Sequence, residues 1–364
     1  MGLDLAAVHQ DLLAGRAAWP WRATARALAW PYGLGARLDA WSHQAGWQKV
    51  QRLPAPVVGV GNLAVGGTGK TPLVLAVLQT LARWGVPAAV ISRGYGGRAK
   101  GPVTWVSRGQ GLLAGAGEAG DEPVLLAQRS GAPVAVGRDR AAVGRALLAE
   151  LGPRVLVGDD LFQHHALHRD LNLVALDAAS PLGNGFLLPR GELREPPTAL
   201  ARADAVIFTR AASPEAAAQA RALVAPWWEG PTLACRHVIL GFRGPGGEEL
   251  PLDALAGRRA VGFAGLARPG DFRHTLEELG LSVAGFRAFA DHHAYTPAEV
   301  SALVGWAREN GAELALTSEK DRVRLAWPEE AAVPLYYPVL GLEFWEGPAA
   351  WERLLAWGLA AWKG

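Results

Sequence analysis

Lys70 and Thr71 follow Gly69 in the stretch "VGNLAVGGTGKTP" (residues 60–72). Glycines at Gly66, Gly67 and Gly69 free backbone N–H groups to line an anion, with Thr68 among them, while a lysine and a hydroxyl at this spacing reach the β/γ-phosphates and Mg²⁺. The full pattern G-x-x-x-x-G-K-[ST] is incomplete, because Ala64 occupies the first glycine position. Gly66 and Gly67 supply the turn two or three positions later. A second group of chemically able residues lies in "RVLVGDDLFQHHALHRD" (154–170). Asp159 and Asp160 end an apolar run, where a carboxylate holds Mg²⁺ directly or through water, or else caps a following helix. His164, His165 and His168 have an i, i+4 pair but no third ligand at a zinc spacing. Arg93 in "SRGYGG" (92–97) suits charge stabilisation or the grip of an anionic substrate. Asp121 and Glu122 in "GDEP" and His292 in "DHHAY" add carboxylates and a histidine, a combination that can orient a hydroxyl and accept its proton.

These groups need a scaffold that brings them together. "APVVGV" (55–60) predicts a buried parallel strand, and Thr71–Arg83 has apolar residues at helical spacing (Leu73, Val74, Val77, Leu78, Leu81) with Pro72 in the first turn. Strand-like runs recur at Ala88–Ser92, Val134–Val136, Val155–Val157, Leu171–Leu176 and Ala205–Thr209. Their alternation with helical stretches predicts an α/β fold, a P-loop kinase-like parallel sheet flanked by helices. Thr232–Phe242 and Leu335–Phe344 flank a distinct block and predict a two-stranded β linker to a second, smaller α/β domain. The expected division is a Trp/Arg-rich arm at 1–52, a P-loop core at 53–230, the linker and inserted domain at 231–344, and a returning C-terminal helix at 345–364. Gly109–Pro123 reads as a glycine-rich loop ending in two carboxylates.

The 364 residues are half apolar, 19% charged and carry a net charge of +2, which excludes a disordered chain and gives no nucleic-acid signature. The lone Cys235 excludes a disulfide framework or a cysteine-built zinc site. No run of 18 apolar residues predicts a membrane-spanning helix. The arm is unusual: Trp19, Trp21, Trp30, Trp41 and Trp47 alternate with Arg16, Arg22, Arg26, Arg37, Lys49 and Arg52. Six basic and three acidic side chains in residues 1–52 suit an anionic lipid headgroup layer, unless the tryptophans pack against the protein's own body. Pro20 and Pro31 are expected to break this segment.

Two P-loop classes fit poorly. Partition-type ATPases place a lysine where Val65 stands, and "TSEKDRV" (317–323) offers only Lys320-Asp321 of the N-K-x-D base reader of GTPases. Taken together, "VGNLAVGGTGKTP", "SRGYGG", "GDEP", "DDLFQHHALHRD", "GNGFLLPRGELREP", "DHHAY" and "TSEKDRV" resemble, in order, the tetraacyldisaccharide 4'-kinase (lipid A 4'-kinase) family. That family's own loop lacks the first glycine. The resemblance implies transfer of the ATP γ-phosphate, with Mg²⁺, to the 4'-hydroxyl of a tetraacyldisaccharide 1-phosphate lipid. It also implies a monotopic enzyme on the cytoplasmic face of the inner membrane, expected to be a monomer. By resemblance Lys70 and Thr71 are the phosphate and Mg²⁺ ligands, Asp121 the base and His292 its partner. Glu122, Asp159 and Asp160 match acidic residues around the metal and nucleotide, and Tyr95, Asn184, Arg194 and Glu195 match positions near the substrate. Leu161 replaces the family glycine of D-D-G-F-Q-H, and a side chain there is expected to crowd the loop or restrict φ. A nucleotide-dependent switch ATPase and a soluble small-molecule kinase are the competing readings.

Overall fold

Nearly continuous apolar runs demand burial on both faces, and this chain meets the demand by aligning them with helices to either side. The computed structural model describes residues 8, 11–13, 15–266, 268–328 and 330–360. In chain order the first part comprises α1 (Trp19–Gln44), β1 (Val57–Gly61), α2 (Lys70–Arg83), β2 (Ala88–Ser92), β3 (Thr104–Arg108), α3 (Ala116–Ala119), α4 (Asp121–Ser130), β4 (Pro133–Val136), α5 (Arg140–Leu151), β5 (Val155–Asp159), β6 (Leu171–Asp177), β7 (Ala205–Thr209) and α6 (Pro214–Val224). There follow β8 (Thr232–Arg243), β9 (Glu249–Leu250), β10 (Arg259–Ala264), α7 (Pro269–Glu278), β11 (Ser282–Ala288), α8 (Pro297–Glu309), β12 (Leu314–Leu316), α9 (Glu319–Arg322), β13 (Leu335–Phe344) and α10 (Pro348–Leu359).

The strands join edge to edge in the order β11-β10-β12-β13-β8-β7-β6-β1-β5-β2-β4-β3, with β9 on β8. β1 lies between β5 and β6, parallel to both, so its carboxyl end opens into the middle of the sheet edge. Ligands in such sheets bind outside the carboxyl ends of the strands. β8 pairs in parallel with β7 over Thr232–Ala234, then runs antiparallel to β13 from Cys235–Phe344 to Arg243–Tyr337. That long ladder carries the sheet from β7 to the parallel set β10, β11 and β12. An antiparallel edge strand, β3, closes the other side; its mixed sequence "TWVSR" has no clean alternation to reveal it.

All five residues of β1 are buried. α2 lays Leu73, Val74, Val77, Leu78 and Leu81 against the sheet. Burying five such side chains contributes on the order of 10 kcal/mol before conformational entropy is counted. A separate cluster around Phe263, Leu303, Trp327 and Leu335 fills one side of the β10–β12 sheet, and Phe242, Leu276 and Leu314 fill the other.

Two expectations are corrected here. α1 runs unbroken from Trp19 to Gln44 through Pro31. Pro20 sits in its first turn, where no N–H is needed. Pro31 frees the carbonyl of Ala27, an exposed position where an unpaired carbonyl costs little. Asp121 and Glu122 do not end a loop; they open α4, where two carboxylates favour the positive end of the helix dipole.

Candidate active site

The P-loop is built from both its ends. Gly66 (φ 99°) and Gly69 (φ 78°) take the left-handed turns, and Gly69 caps α2 directly before Lys70 and Thr71. Ala64 needs no positive φ, because it pairs with Leu193 while the Val65 N–H donates to the Glu192 carbonyl (2.8 Å). Buried Asn62 donates from Nδ2 to the Ala64 carbonyl and to Thr68 Oγ1 (2.5 and 2.8 Å), and Thr209 Oγ1 donates to the Thr68 carbonyl (2.8 Å). These contacts fix the loop's curvature from beneath. At its rim the Arg210 guanidinium, paired with Asp177 (2.8 Å), comes within reach of Gly67.

Asp159 ends β5 beside the loop and Asp160 opens the turn that follows. Asp159 is buried, accepts from Ser92 Oγ (3.2 Å), and is pushed up to about 6 by burial and by the charge of Asp160. Burial pushes Asp160 up as well, but Lys70 and Arg194 outweigh it and hold its carboxyl below the ordinary value. Lys70 Nζ stands 3.7 Å from Asp160 Oδ1, and Arg194 Nη1 donates to both Asp160 oxygens (3.0 and 2.8 Å). Burial lowers the Lys70 pKa, with Asp160 opposing. Asp160 has φ 55°, so the left-handed residue is the aspartate and not Leu161. Leu161 does not crowd the loop: it is fully buried in the core formed with Leu147 and Leu156, directly over Gly158.

Asp121 is placed by a second glycine contact. Gly120 (φ 88°) lies against the Tyr95 carbonyl so closely that no Cβ would fit, which brings "GDEP" under the "SRGYGG" turn. Asp121 Oδ2 then meets His292 Nδ1 (2.9 Å), which follows β11 with φ 59°. Arg324 Nε approaches the same Oδ2 (2.8 Å). Glu122 lies 3.7 Å from Lys320 Nζ, and its charge is felt at Lys70 and Asp159.

The "GNGFLLPRGELREP" segment and α1 form two open grooves. One, about 420 Å³, is lined by Arg26, Trp30, Leu34, Arg37, Phe186 and Arg190 among others. The other, about 440 Å³, is lined by residues including Tyr32, Asp39, Gln163, His165, Arg194 and Glu195. The arm's tryptophans do not pack inward: Trp19, Trp30 and Trp47 are 73, 74 and 76% exposed. No helix among the described residues is long and apolar enough to cross a membrane.

A family model described as tetraacyldisaccharide-1-P 4'-kinase matches residues 21–358. The chain belongs to this family. A tetraacyldisaccharide 4'-kinase from Geobacter metallireducens is 46% identical over 286 residues, 78% of this chain and 82% of that one. One from Syntrophus aciditrophicus is 44% identical over 294 residues, 78% and 79% of the two chains. Among solved structures, LpxK from Aquifex aeolicus in complex with ATP superposes with a TM-score of 0.76 at 30% identity, covering 93% of this chain and 99% of that one.

Against this 4'-kinase frame, the structure brings together Gly66 to Thr71, Asp159, Asp160, Arg194 and Glu122, and it joins Asp121 to His292. Other residues named from the sequence stand differently. Tyr95 is 78% exposed on its turn, and Arg93 is exposed with its charge felt at Arg140. Asn184 shapes its own loop, accepting from the Phe186 N–H (3.2 Å) and donating to the Arg190 carbonyl (3.4 Å). Glu195 is buried, with both oxygens taken by Arg202 Nη2 (2.8 Å each). His164 and His165 lie on turns, not on a helix, and burial pushes them down to about 4 and about 3. Among the described residues no three His, Cys, Asp or Glu side chains converge as a metal cage. Sequence reading missed Asn62, Arg140, Arg210 and Arg324. Asn62 and Arg210 directly adjoin motif residues or strand ends, a usable signal; Arg140 and Arg324 lie where only the tertiary structure brings them near the carboxylates.

Proposed function

We propose that this chain transfers the γ-phosphoryl group of ATP to the 4'-hydroxyl of a tetraacyldisaccharide 1-phosphate, a step of lipid A biosynthesis. The observation that carries the reading is Asp121 set at a helix start beside the P-loop and met by His292 from beyond the β8–β13 ladder. The hydroxyl oxygen bonds to the γ-phosphorus as the bond to the β–γ bridging oxygen breaks. ADP leaves, and the hydroxyl proton passes to Asp121. Lys70 and the loop amides would hold the β/γ-phosphates, with Arg93 and Arg210 as further cations at the rim. Mg²⁺ would neutralise phosphate charge when bound. The donors present are hard oxygens that suit it: the Thr71 hydroxyl and Asp159, whose raised pKa marks a carboxylate short of positive charge, with Asp160 and Glu122 nearby.

The acceptor would enter between α1 and the 184–195 segment, where arginines alternate with aromatic and aliphatic side chains. Tyr95, Arg194, Asn184 and Glu195 would shape that side. The exposed tryptophans and arginines of residues 1–52 support an arm lying on the cytoplasmic face of the inner membrane, with 53–230 as the nucleotide core. Residues 231–344 would act as a hinged second domain and 345–364 as the returning helix, in a monomer.

Purified protein, labelled ATP, Mg²⁺ and the disaccharide 1-phosphate lipid should yield label on the lipid sugar. Release of ADP at the same rate without lipid, and no labelled lipid, would overturn the reading in favour of a switch ATPase. Transfer to water-soluble acceptors alone would favour a soluble small-molecule kinase.

A further inference from the structure

Arg324 belongs to none of the roles assigned above. Its side chain is only 7% exposed, and it follows α9 in the "TSEKDRVRL" stretch. Nε lies 2.8 Å from Asp121 Oδ2, Nη2 3.4 Å from His292 Nδ1, and Nη1 3.4 Å from the His293 carbonyl. Behind it stands Asp321, fully buried, 3.6 Å from Nη1. Asp321 is itself immobilised by the Gly265 N–H (3.0 Å), Ser318 Oγ and Tyr295 OH (3.1 Å). The Asp121 carboxylate can only accept, so the 2.9 Å contact needs a proton on His292 Nδ1, and Arg324 Nη2 then does not hydrogen-bond that nitrogen. His292 Nδ1 donates to Oδ2, and the Arg324 charge lies against the same oxygen. Oδ1 has no protein partner among the described residues and is left for the acceptor hydroxyl. The Nε–H is not aligned for a hydrogen bond, as is common before a substrate closes the site.

We propose that Arg324 is a positioning residue: anchored by Asp321, its charge holds Oδ2 of Asp121 turned towards it so that Oδ1 alone faces the incoming 4'-hydroxyl. The role rests on Asp121 acting as the base. It differs from an ordinary surface ion pair because the guanidinium is buried and its Nη1 is held between the Asp321 carboxylate and the His293 carbonyl.

The test is steady-state transfer to the lipid acceptor by R324Q, R324K, D121N and R324Q/D121N, with melting temperature and ATP affinity measured alongside. R324Q should lower kcat about 10- to 100-fold, the cost of misplacing a reacting group by about 1 Å. Its KM for ATP should stay within about threefold, since no contact of Arg324 reaches the P-loop. R324K should recover most of kcat, and R324Q should add nothing in the D121N background, because the effect acts through Asp121. A dead D121N beside an R324Q within twofold of wild type would overturn the positioning role alone. Equal losses in R324K and R324Q that track a lower melting temperature would also overturn it, as a structural role would give. A D121N with normal turnover would overturn the base assignment and the positioning role together.

Discussion

In the proposed mechanism Lys70 and Asp121 act on different parts of one reaction. Lys70→Ala removes a cation from the phosphates and should lower transfer at least ~100-fold, the loss typical of removing one preorganised charge donor. Asp121→Asn keeps the shape and loses the base; kcat should fall by about 10²–10⁴ while ATP affinity, read by a fluorescent analogue, changes little. Asp159 gives a prediction about stability. Its folded pKa of about 6 exceeds the ordinary 3.8, so the folded state binds its proton more tightly than the unfolded state does. Stability therefore falls as pH climbs from about 4 through 6, and the penalty is complete above that window. Nucleotide-free D159N should melt higher than wild type at pH 7.5, by on the order of 1–3 kcal/mol, with the gap closing near pH 4. An unchanged gap across that range would show that Asp159 is not strained by burial. Its carboxylate and those of Asp121 and Asp160 were legible in the sequence because each lies in a short motif. Arg324 was not, because its partner is about 200 positions away and only the β10–β13 packing brings the two together.

At the scale of single elements, the turn after β5 shows how a local rule yields to packing. A glycine at position 161 would accommodate any φ, yet the chain places the left-handed conformation on Asp160, a residue type that tolerates it. Leu161 is thereby free to fill the space above Gly158. Leu161→Ala should cost about 2–5 kcal/mol, as emptied leucine sites do, measurable by urea denaturation. Nucleotide affinity should fall with it if the turn loosens. α1 makes the converse point. Its two prolines look like breakers by propensity, but Pro20 falls in the first turn and Pro31 frees only an exposed carbonyl, so the helix continues. Strands β2 and β7 and helix α2 match the periodicity to within one residue, since a buried run leaves few alternatives.

For the molecule as a whole, α1 and the segment after it leave a row of exposed tryptophans and arginines that nothing among the described residues covers. Anionic vesicles should therefore bind the protein in a salt-sensitive way. Replacing Arg22, Arg26 and Arg37 with glutamine should weaken co-sedimentation roughly 100-fold, at about 1 kcal/mol per charge near an anionic surface. Binding that is equal on neutral and anionic vesicles, and indifferent to salt, would remove the electrostatic part of this reading. Detachment of the arm should lower transfer to lipid while ATP affinity is kept, since α1 borders the grooves and not the P-loop.

Motif order and hydrophobic period alone determined the P-loop, the parallel strands around it, the family and most of the residues proposed to handle phosphate. The P-loop depends on contacts within a strand, a turn and the start of the next helix, and each buried strand on its own continuous apolar run. Three matters were decided only by the tertiary structure: that "GDEP" opens a helix under the Tyr95 turn, that Glu195 is spent on Arg202 inside the protein, and that Arg324 meets Asp121. Each depends on which distant backbones approach, and that follows from the packing of whole sheets and not from any local pattern.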